Sequence, residues 1–244
     1  MDMKNYFARI YVINLPERTD RRVAVVRELE KARLPLEPGK VELFPAIRPS
    51  TAAGFANIGY RGCFLSHFNV LKRANEDGLR NVLIMEDDLV ISPKFLTDAA
   101  TLVGQLQATD WGFVYFGHVE KVGGNGRTKL RVHVGPLLTT HFLGINASLF
   151  EKLLTFLKFL QQRPAGHPDG GPMSPDGAYS TFRRQNPDVT TLIAVPNLGW
   201  QGSSRSDLCP RWFDRVFAIR QAAGTARRLQ GCWKGRYRGR GLRA

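Results

Sequence analysis

Three consecutive carboxylates, Glu86, Asp87 and Asp88, directly follow the apolar run at residues 82–85 (VLIM). A run this short, with polar residues before it, is typical of a strand buried on both faces of a mostly parallel sheet. Ligands in open α/β sheets bind at the carboxyl ends of strands, and carboxylate and phosphate oxygens are preferred by Mg²⁺ and Mn²⁺. The pattern therefore predicts a divalent metal site. The alternative is a polar strand end whose Asp caps the next turn.

Three arginines, Arg18, Arg21 and Arg22, follow a predicted first strand over residues 7–13 and a turn at residues 14–16. They crowd the start of the next predicted helix. The helix dipole disfavours cations there unless an anion is near. Free helix N–H groups together with guanidinium groups bind phosphate well. A phosphate site is predicted here, and a solvated arginine face is the alternative.

Two polar residues, Ser66 and His67, lie in the first turns of a helix predicted to begin near Arg61. A single histidine on a helix is more often a packing residue than a ligand or a base. These two residues alone predict no chemistry.

The segment 163–177 contains four prolines and four glycines, which predicts a long surface loop at the rim of the site. Asp176 stands near its end, where the N-cap of a helix over residues 177–185 belongs. Capping is therefore the ordinary explanation for this aspartate.

The elements that must position these residues alternate between strand and helix, which predicts an α/β fold with a mixed sheet. Thr19 or Asp20 is expected to cap the first helix, with Val23, Val26 and Leu29 on its apolar side. The other expected strands cover residues 41–47, 113–116 and 190–195, with an antiparallel hairpin or flap within residues 114–138 and a polar loop over residues 196–207. Ser92 and Pro93 are expected to open a helix over residues 93–106, and a nearly all-apolar, deeply buried helix is expected over residues 148–160.

The chain of 244 residues carries 35 Lys or Arg against 21 Asp or Glu, a formal charge of +14. This excess implies an anionic partner. Residues 227–243 contain seven Lys or Arg and no acid, so we expect a domain over residues 1–215 and a basic C-terminal segment over residues 216–244. Three scattered cysteines and the lack of a signal-type apolar run predict a cytosolic protein.

Three motifs in this order resemble glycosyltransferase family 25, which includes bacterial lipopolysaccharide and lipooligosaccharide galactosyltransferases. They are residues 14–22 (NLPERTDRR), residues 62–67 (GCFLSH) and residues 83–88 (LIMEDD). Residues 140–142 (THF) resemble a later segment of the family, and residues 196–207 resemble its C-terminal motif more loosely.

The resemblance implies a GT-A type fold, with a Rossmann-like mixed sheet flanked by helices, a UDP-sugar donor and a Mn²⁺ or Mg²⁺ ion. Asp88 would be the leading metal ligand, with Asp87 beside it. Glu86 would contact the donor ribose or support the metal. Asn14, Arg18 and Arg22 would help to hold the diphosphate. Ser66 and His67 match a motif whose chemical role cannot be derived, and the resemblance alone places both among the donor-binding residues.

The implied reaction transfers a hexose to a glycan or glycolipid acceptor with inversion, and galactose is the expected hexose. Inversion requires a general base, normally an Asp or Glu, to accept the proton of the acceptor hydroxyl. Asp176 is the candidate for this role, with Asp169 and Asp188 as alternatives.

Three other functions remain as alternatives. The basic residues around Trp233 and Tyr237 suggest nucleic-acid binding, although this leaves the acidic strand end unexplained. A phosphotransferase or phosphatase would use Asp87 as nucleophile, and an inactive scaffold would keep the fold alone. The transferase hypothesis places the protein in the cytoplasm, where the basic segment would contact the anionic face of the inner membrane.

Overall fold

A central sheet of seven strands organises the computed structural model, which describes residues 2–120, 122–124 and 126–202. The strands are β1 (Arg9–Asn14), β2 (Val41–Pro45), β3 (Asn81–Glu86), β4 (Leu89–Ile91), β5 (Phe113–Tyr115), β6 (Lys129–Val132), β7 (Phe142–Asn146), β8 (Thr191–Val195) and β9 (Gly199–Gln201). The helices are α1 (Met3–Tyr6), α2 (Thr19–Lys31), α3 (Ile58–Glu76), α4 (Pro93–Thr97), α5 (Ala99–Gln107), α6 (Phe150–Gln162) and α7 (Pro175–Gln185), with a 3₁₀ turn at Ala147–Leu149 before α6.

The sheet is mixed, with the strand order β2-β1-β3-β7-β5-β8-β6. Strands β2, β1, β3, β5 and β8 run in one direction, while β7 and β6 run in the opposite one. The ends of β1, β3, β5 and β8 therefore share one edge with the beginnings of β7 and β6. We call this the carboxyl edge.

Strand β3 is buried on both faces, as its apolar run predicted. Leu83 and Met85 pack into a core with residues of α2, α4 and α5, whereas Val82 and Ile84 pack into a second core with residues of α3, α6 and α7. The predicted Rossmann-like mixed sheet of GT-A type, flanked by helices, is confirmed by this architecture.

The first two long helices differ from the prediction at their starts. Thr19 is the first residue of α2 rather than its cap, because Arg18 stands at the cap and forms no capping side-chain bond. Val25 and Leu29 are buried, whereas Val23 is exposed. Helix α3 starts before Arg61 because the side chain of Asn57 accepts a hydrogen bond from the Tyr60 amide. The helix ends at Glu76, and Gly78 follows soon after with a positive φ.

The predicted hairpin within residues 114–138 is wrong. Strand β6 pairs antiparallel with β8 rather than with β5, because β5 already lies between β7 and β8. The predicted helix over residues 93–106 is capped by Ser92, as expected, but divides at Asp98 into α4 and α5.

Two predictions near the site need correction. Asp176 does not cap a helix, because α7 starts at Pro175 with Ser174 at the cap, so Asp176 lies in the first turn. The predicted polar loop at residues 196–207 contains β9, which pairs with β4. Helix α6 is also less buried than predicted, since Phe159 is half exposed.

Among the described residues, no helix combines the length and apolar character that a membrane-spanning segment needs. The predicted domain boundary at residues 215/216, the basic segment, Trp233 and Tyr237 lie outside the described residues.

Candidate functional site

The carboxyl edge gathers most of the residues predicted from the motifs. Asn14 ends β1 and Glu86 ends β3, which pair in parallel. Asp87 and Asp88 form the turn between β3 and β4, which we call the acidic turn. Thr140 and His141 precede β7 on the other side of β3. Residues from distant motifs are thus neighbours because parallel strands end at the same edge.

Asp87 is held by donors from the first motif. Its carboxylate accepts hydrogen bonds from Asn14 Nδ2 at 2.8 Å and from Arg21 Nη1 at 2.9 Å, and the residue is only 8% exposed. The Asn14 Oδ1 atom in turn accepts a hydrogen bond from Arg22 Nε at 3.3 Å. We call Arg21, Asp87, Asn14 and Arg22 the arginine–aspartate network. It joins the end of β3 to the end of β1 and the start of α2.

Arg18 and Arg22, the two arginines predicted to contact a diphosphate, have different partners. Arg22 Nη2 also donates to the Pro16 carbonyl at 2.9 Å. Arg18 forms two side-chain bonds to exposed Asp20, and its guanidinium lowers the pKa of Asp20 to about 2. Arg18 is thus bonded to a residue of α2, the helix at whose start it stands.

Glu86 lies in a pocket of polar groups. Thr140 Oγ1 lies 3.2 Å from Glu86 Oε1, His67 Nε2 lies 3.6 Å from the same oxygen, and Gln201 Nε2 lies 3.4 Å from Oε2. Burial raises the pKa of Glu86, but the imidazoles of His67 and His141 and the Thr140 hydroxyl outweigh it and hold the pKa below its usual range. Glu86 is therefore ionised at neutral pH and accepts hydrogen bonds.

His67 connects this pocket to α7. The Tyr179 hydroxyl lies 3.3 Å from His67 Nδ1, and the two rings meet edge to face. Burial raises the pKa of Tyr179 well above its ordinary value, so this hydroxyl stays neutral. The Tyr179 hydroxyl thus contacts the imidazole at Nδ1, whereas Nε2 lies near Glu86 but beyond hydrogen-bond distance.

Asp88, the leading predicted metal ligand, immediately precedes β4 and does not belong to the arginine–aspartate network. Its backbone carbonyl accepts a hydrogen bond from the Gly202 amide at 2.7 Å, which fixes the turn against β9. Within the described residues, no three His, Cys, Asp or Glu side chains form a metal-binding group. The donor set fits a Mg²⁺-type ion shared between one carboxylate and substrate phosphates, an arrangement common for this ion.

Asp176, the predicted general base, lies on the same side of α7 as Tyr179, because residues three apart share a helix face. Its charge is close enough to Tyr115 to raise the pKa of that tyrosine, after burial, which is the larger cause. Tyr115 ends β5, so Asp176 faces the carboxyl edge. Asp188 precedes β8 and therefore lies at the opposite edge of the sheet.

Ser66 bonds to backbone groups of the neighbouring segments rather than to the acidic residues of the site. Its buried hydroxyl accepts a hydrogen bond from the Ile47 amide at 2.8 Å and donates one to the Gly62 carbonyl at 2.7 Å. The residue thus ties the segment after β2 to α3. Its predicted part in donor binding stays a prediction.

Sequence reasoning missed two residues of the site. Tyr179 has the ordinary appearance of a core aromatic, and only its position three residues after Asp176 could have indicated it. Arg21 was noted among the arginines but not as the partner of Asp87, because a pairing over 66 positions leaves no local signal.

The fold and the site define an α/β protein with an acidic strand end beside an arginine-lined helix start. The model of glycosyltransferase family 25, described as an LPS biosynthesis protein family, matches residues 7–122. These residues include β1, α2, α3 and β3. This part of the chain is similar to glycosyltransferase family 25, as its motifs predicted.

Known relatives support the same family. A glycosyltransferase 25 family member of Anopheles gambiae is 30% identical over 132 residues, which cover 45% of this chain and 22% of the relative. Mouse procollagen galactosyltransferase 2 is 28% identical over 129 residues, with coverages of 46% and 21%. The chain thus spans about a fifth of the length of these curated relatives.

A solved structure also resembles the chain. It is a glycosyltransferase involved in glycosylation of the major capsid of PBCV-1, with a TM-score of 0.45 and 11% identity. The similarity covers 75% of this chain and 79% of that chain.

Proposed function

We propose that the protein is a metal-dependent glycosyltransferase that moves a hexose from a UDP-sugar to a glycan acceptor. The observation that carries the proposal is the arginine–aspartate network, since it lies within the family segment and builds an anion site beside the acidic turn. Galactose is the proposed sugar because relatives are named galactosyltransferases. The family description leads us to propose a lipopolysaccharide or another cell-surface glycan as acceptor.

In the proposed reaction the chain binds the donor diphosphate at the start of α2. Arg18 and Arg22 contribute guanidinium groups at the start of α2, where the helix dipole favours an anion. Asp88 would hold the ion together with the diphosphate. A bound Mn²⁺ or Mg²⁺ supplies stabilisation of the negative charge that grows on the leaving diphosphate.

Glu86 is proposed to orient the donor ribose. Its carboxylate is ionised and fixed by Thr140, His67 and Gln201, so it presents a hydrogen-bond acceptor in a defined position. This preorganisation means that little reorientation of the carboxylate is needed when the donor binds.

Asp176 is proposed to accept the proton of the acceptor hydroxyl in an inverting reaction. Its charge acts on Tyr115 at the end of β5, and β7 separates β5 from β3 in the sheet. Donor and acceptor would then approach from opposite sides of the acidic turn.

The proposed location is the cytoplasmic face of a membrane, where the basic segment would attract anionic lipid by about 1 kcal/mol for each cation. Deleting residues 227–244 should then reduce sedimentation with phosphatidylglycerol vesicles more than it reduces activity on a soluble acceptor. Equal losses of both would contradict the membrane role.

The proposed function is tested by a turnover screen with purified protein. UDP-galactose, UDP-glucose and UDP-N-acetyl sugars are incubated with Mn²⁺, Mg²⁺ or EDTA, and released UDP is measured. We expect metal-dependent release from one donor, strongest with UDP-galactose, and its loss in Asp88→Asn.

Asp110→Asn is the matched control, because Asp110 is exposed and precedes β5 at the opposite edge of the sheet. This variant should keep full activity. Absence of binding and turnover for every nucleotide sugar would contradict the proposal and favour an inactive scaffold.

A further inference from the structure

A second anion-binding feature lies on β6, away from the acidic turn. A cavity of about 300 Å³ is lined by Arg127, Lys129, Arg131, Gly123, Gly124 and Val195. We call it the β6 pocket. We propose that it binds a phosphoryl group and, resting on the proposed function, that this group belongs to the acceptor.

The three cations share one side of the chain because they alternate. Side chains two apart in an extended segment point to the same side. Lys129 is opposite Val195 and Arg131 is opposite Ile193 in the β6–β8 ladder. Thr128 and Leu130 point to the other side, where Thr128 bonds to Asp98.

The three cations have no acidic partner among the described residues. Within the described parts of the chain, Arg127, Lys129 and Arg131 form neither an ion pair nor a side-chain hydrogen bond, and all three are exposed. Three like charges around one concavity repel one another unless an anion lies between them. Guanidinium and ammonium groups make their strongest hydrogen bonds to phosphate oxygens.

The glycine segment completes the cavity. A Cβ on Gly124 would lie 2.6 Å from Val195 Cγ1, so only glycine lets this backbone pack so closely on β8. Close approach of the backbone leaves room beside Lys129 for an anion of phosphate size.

The position of the β6 pocket favours the acceptor over the donor. Val195 ends β8, so the pocket opens at the same carboxyl edge as Glu86. Four strand spacings separate β3 from β6, roughly 20 Å at about 4.8 Å each. The arginine–aspartate network lies on the opposite side of β3, beside β1. A donor diphosphate bound there would leave the β6 pocket to a different molecule.

A different explanation is that the cations only protect an edge strand from pairing with another chain. Such protection requires charge but no localised binding. The two explanations therefore differ in whether an anion binds at Gly123, Gly124 and Lys129.

The test is an NMR titration of the full chain with inorganic phosphate, glucose 6-phosphate, glucose and UDP. Inorganic phosphate and glucose 6-phosphate should shift the amide signals of Gly123, Gly124 and Lys129 with saturation, whereas glucose and metal-free UDP should not. In Arg127→Gln/Lys129→Gln/Arg131→Gln, affinity for inorganic phosphate should fall by about tenfold or more. The control Lys152→Gln/Lys158→Gln/Arg184→Gln removes the same charge from exposed positions of α6 and α7 and should keep the affinity.

Each contrary result has a distinct meaning. No phosphate-dependent shift, or an equal loss of affinity in both triple variants, would overturn the β6 pocket. Saturating shifts by UDP at the same three residues would overturn the acceptor assignment and give the pocket to the donor. Because the titration needs no turnover, these results stand apart from failure of the transferase proposal.

Discussion

Adjacent aspartates have different surroundings at the end of β3. The Asp87 carboxylate accepts hydrogen bonds from Asn14 at the end of β1 and from Arg21 of α2, whereas the Asp88 backbone carbonyl accepts one from the Gly202 amide after β9. Asp87 is therefore already bonded on both oxygens, which disfavours its alternative role as a nucleophile.

Asp87→Ala should lower the free energy of unfolding by about 3 kcal/mol, because Arg21 would keep a largely buried charge without its carboxylate. Urea unfolding measures this loss. The double variant Arg21→Leu/Asp87→Ala should lose less than the sum of the single variants, and additive losses would contradict the pairing. Asp110→Ala, an exposed control, should change the value by less than about 0.5 kcal/mol.

Tyr179→Phe should change the environment of His67 while leaving the fold intact. The variant removes the hydroxyl beside Nδ1 but keeps the ring contacts with His67 and Phe113, so the free energy of unfolding should fall by about 1 kcal/mol or less. The ¹⁵N shift of His67 Nδ1 should move. Tyr11→Phe is the control, since that hydroxyl accepts from Arg9, and it should leave the His67 signal unchanged. An unmoved signal in Tyr179→Phe would refute the contact.

At the scale of single residues, the sequence predicted those whose type carries chemistry. Asn14, Glu86 and Asp88 lie together as the motifs implied. The partners of the site residues could not be predicted. Thr140 contacts Glu86 because β7 pairs with β3, and Tyr179 contacts His67 because α7 packs against α3.

The ends of the strands position the site residues, and the backbone of Gly117 lies directly against the His141 imidazole. Gly117 follows β5, and a Cβ there would lie 2.4 Å from His141 Nε2. Gly117→Ala should displace the imidazole, which lies 3.2 Å from the Gly199 carbonyl, and lower the free energy of unfolding by about 1 to 3 kcal/mol. Thermal unfolding measures the change.

Gly104→Ala is the matched control within α5. Nothing lies within 4 Å of its added Cβ, so the same substitution should stabilise the helix by up to about 1 kcal/mol. Equal stability of the two variants would contradict the close approach of Gly117 to His141.

Asp98 joins the α4–α5 junction to the segment before β6. Its Oδ2 atom accepts hydrogen bonds from the Thr128 amide at 2.9 Å and the Thr128 hydroxyl at 2.6 Å, and these bonds lower the pKa of Asp98. A carboxylate with a lower pKa in the folded state adds stability above its unfolded pKa of about 3.9, and this stability is lost as the pH falls through the folded pKa.

Asp98→Ala should therefore be less stable than the parent by about 1 to 2 kcal/mol at pH 7, and the difference should shrink below about pH 4. Urea unfolding at several pH values provides the measurement. A difference that stays constant with pH would contradict the role of the ionised carboxylate.

At the scale of elements, local patterns predicted β3, β8 and the Ser92 cap because each depends on neighbouring residues. The partner of β6 could not be predicted in this way. The glycines near residue 124 indicate a turn, but the strand that receives the returning chain is fixed by the order of the whole sheet.

For the whole molecule, the mixed sheet places the two proposed anion-binding features on one edge. The arginine–aspartate network lies at the β1 side, the β6 pocket lies at the other, and the acidic turn is between them. The net charge of +14 predicted an anionic partner but gave no location for it. We propose the β6 pocket as one location, because antiparallel β6 brings Lys129 to the edge where the parallel strands end.

The central claim is that a nucleotide sugar binds beside the acidic turn, and hydrogen exchange detected by mass spectrometry tests it most directly. UDP-galactose with Mn²⁺ should slow exchange in peptides covering residues 14–22 and 86–91. Asp88→Asn should lose this protection, whereas Asp110→Asn should keep it. Unchanged exchange in both peptides of the parent protein, or equal protection in Asp88→Asn, would contradict the account.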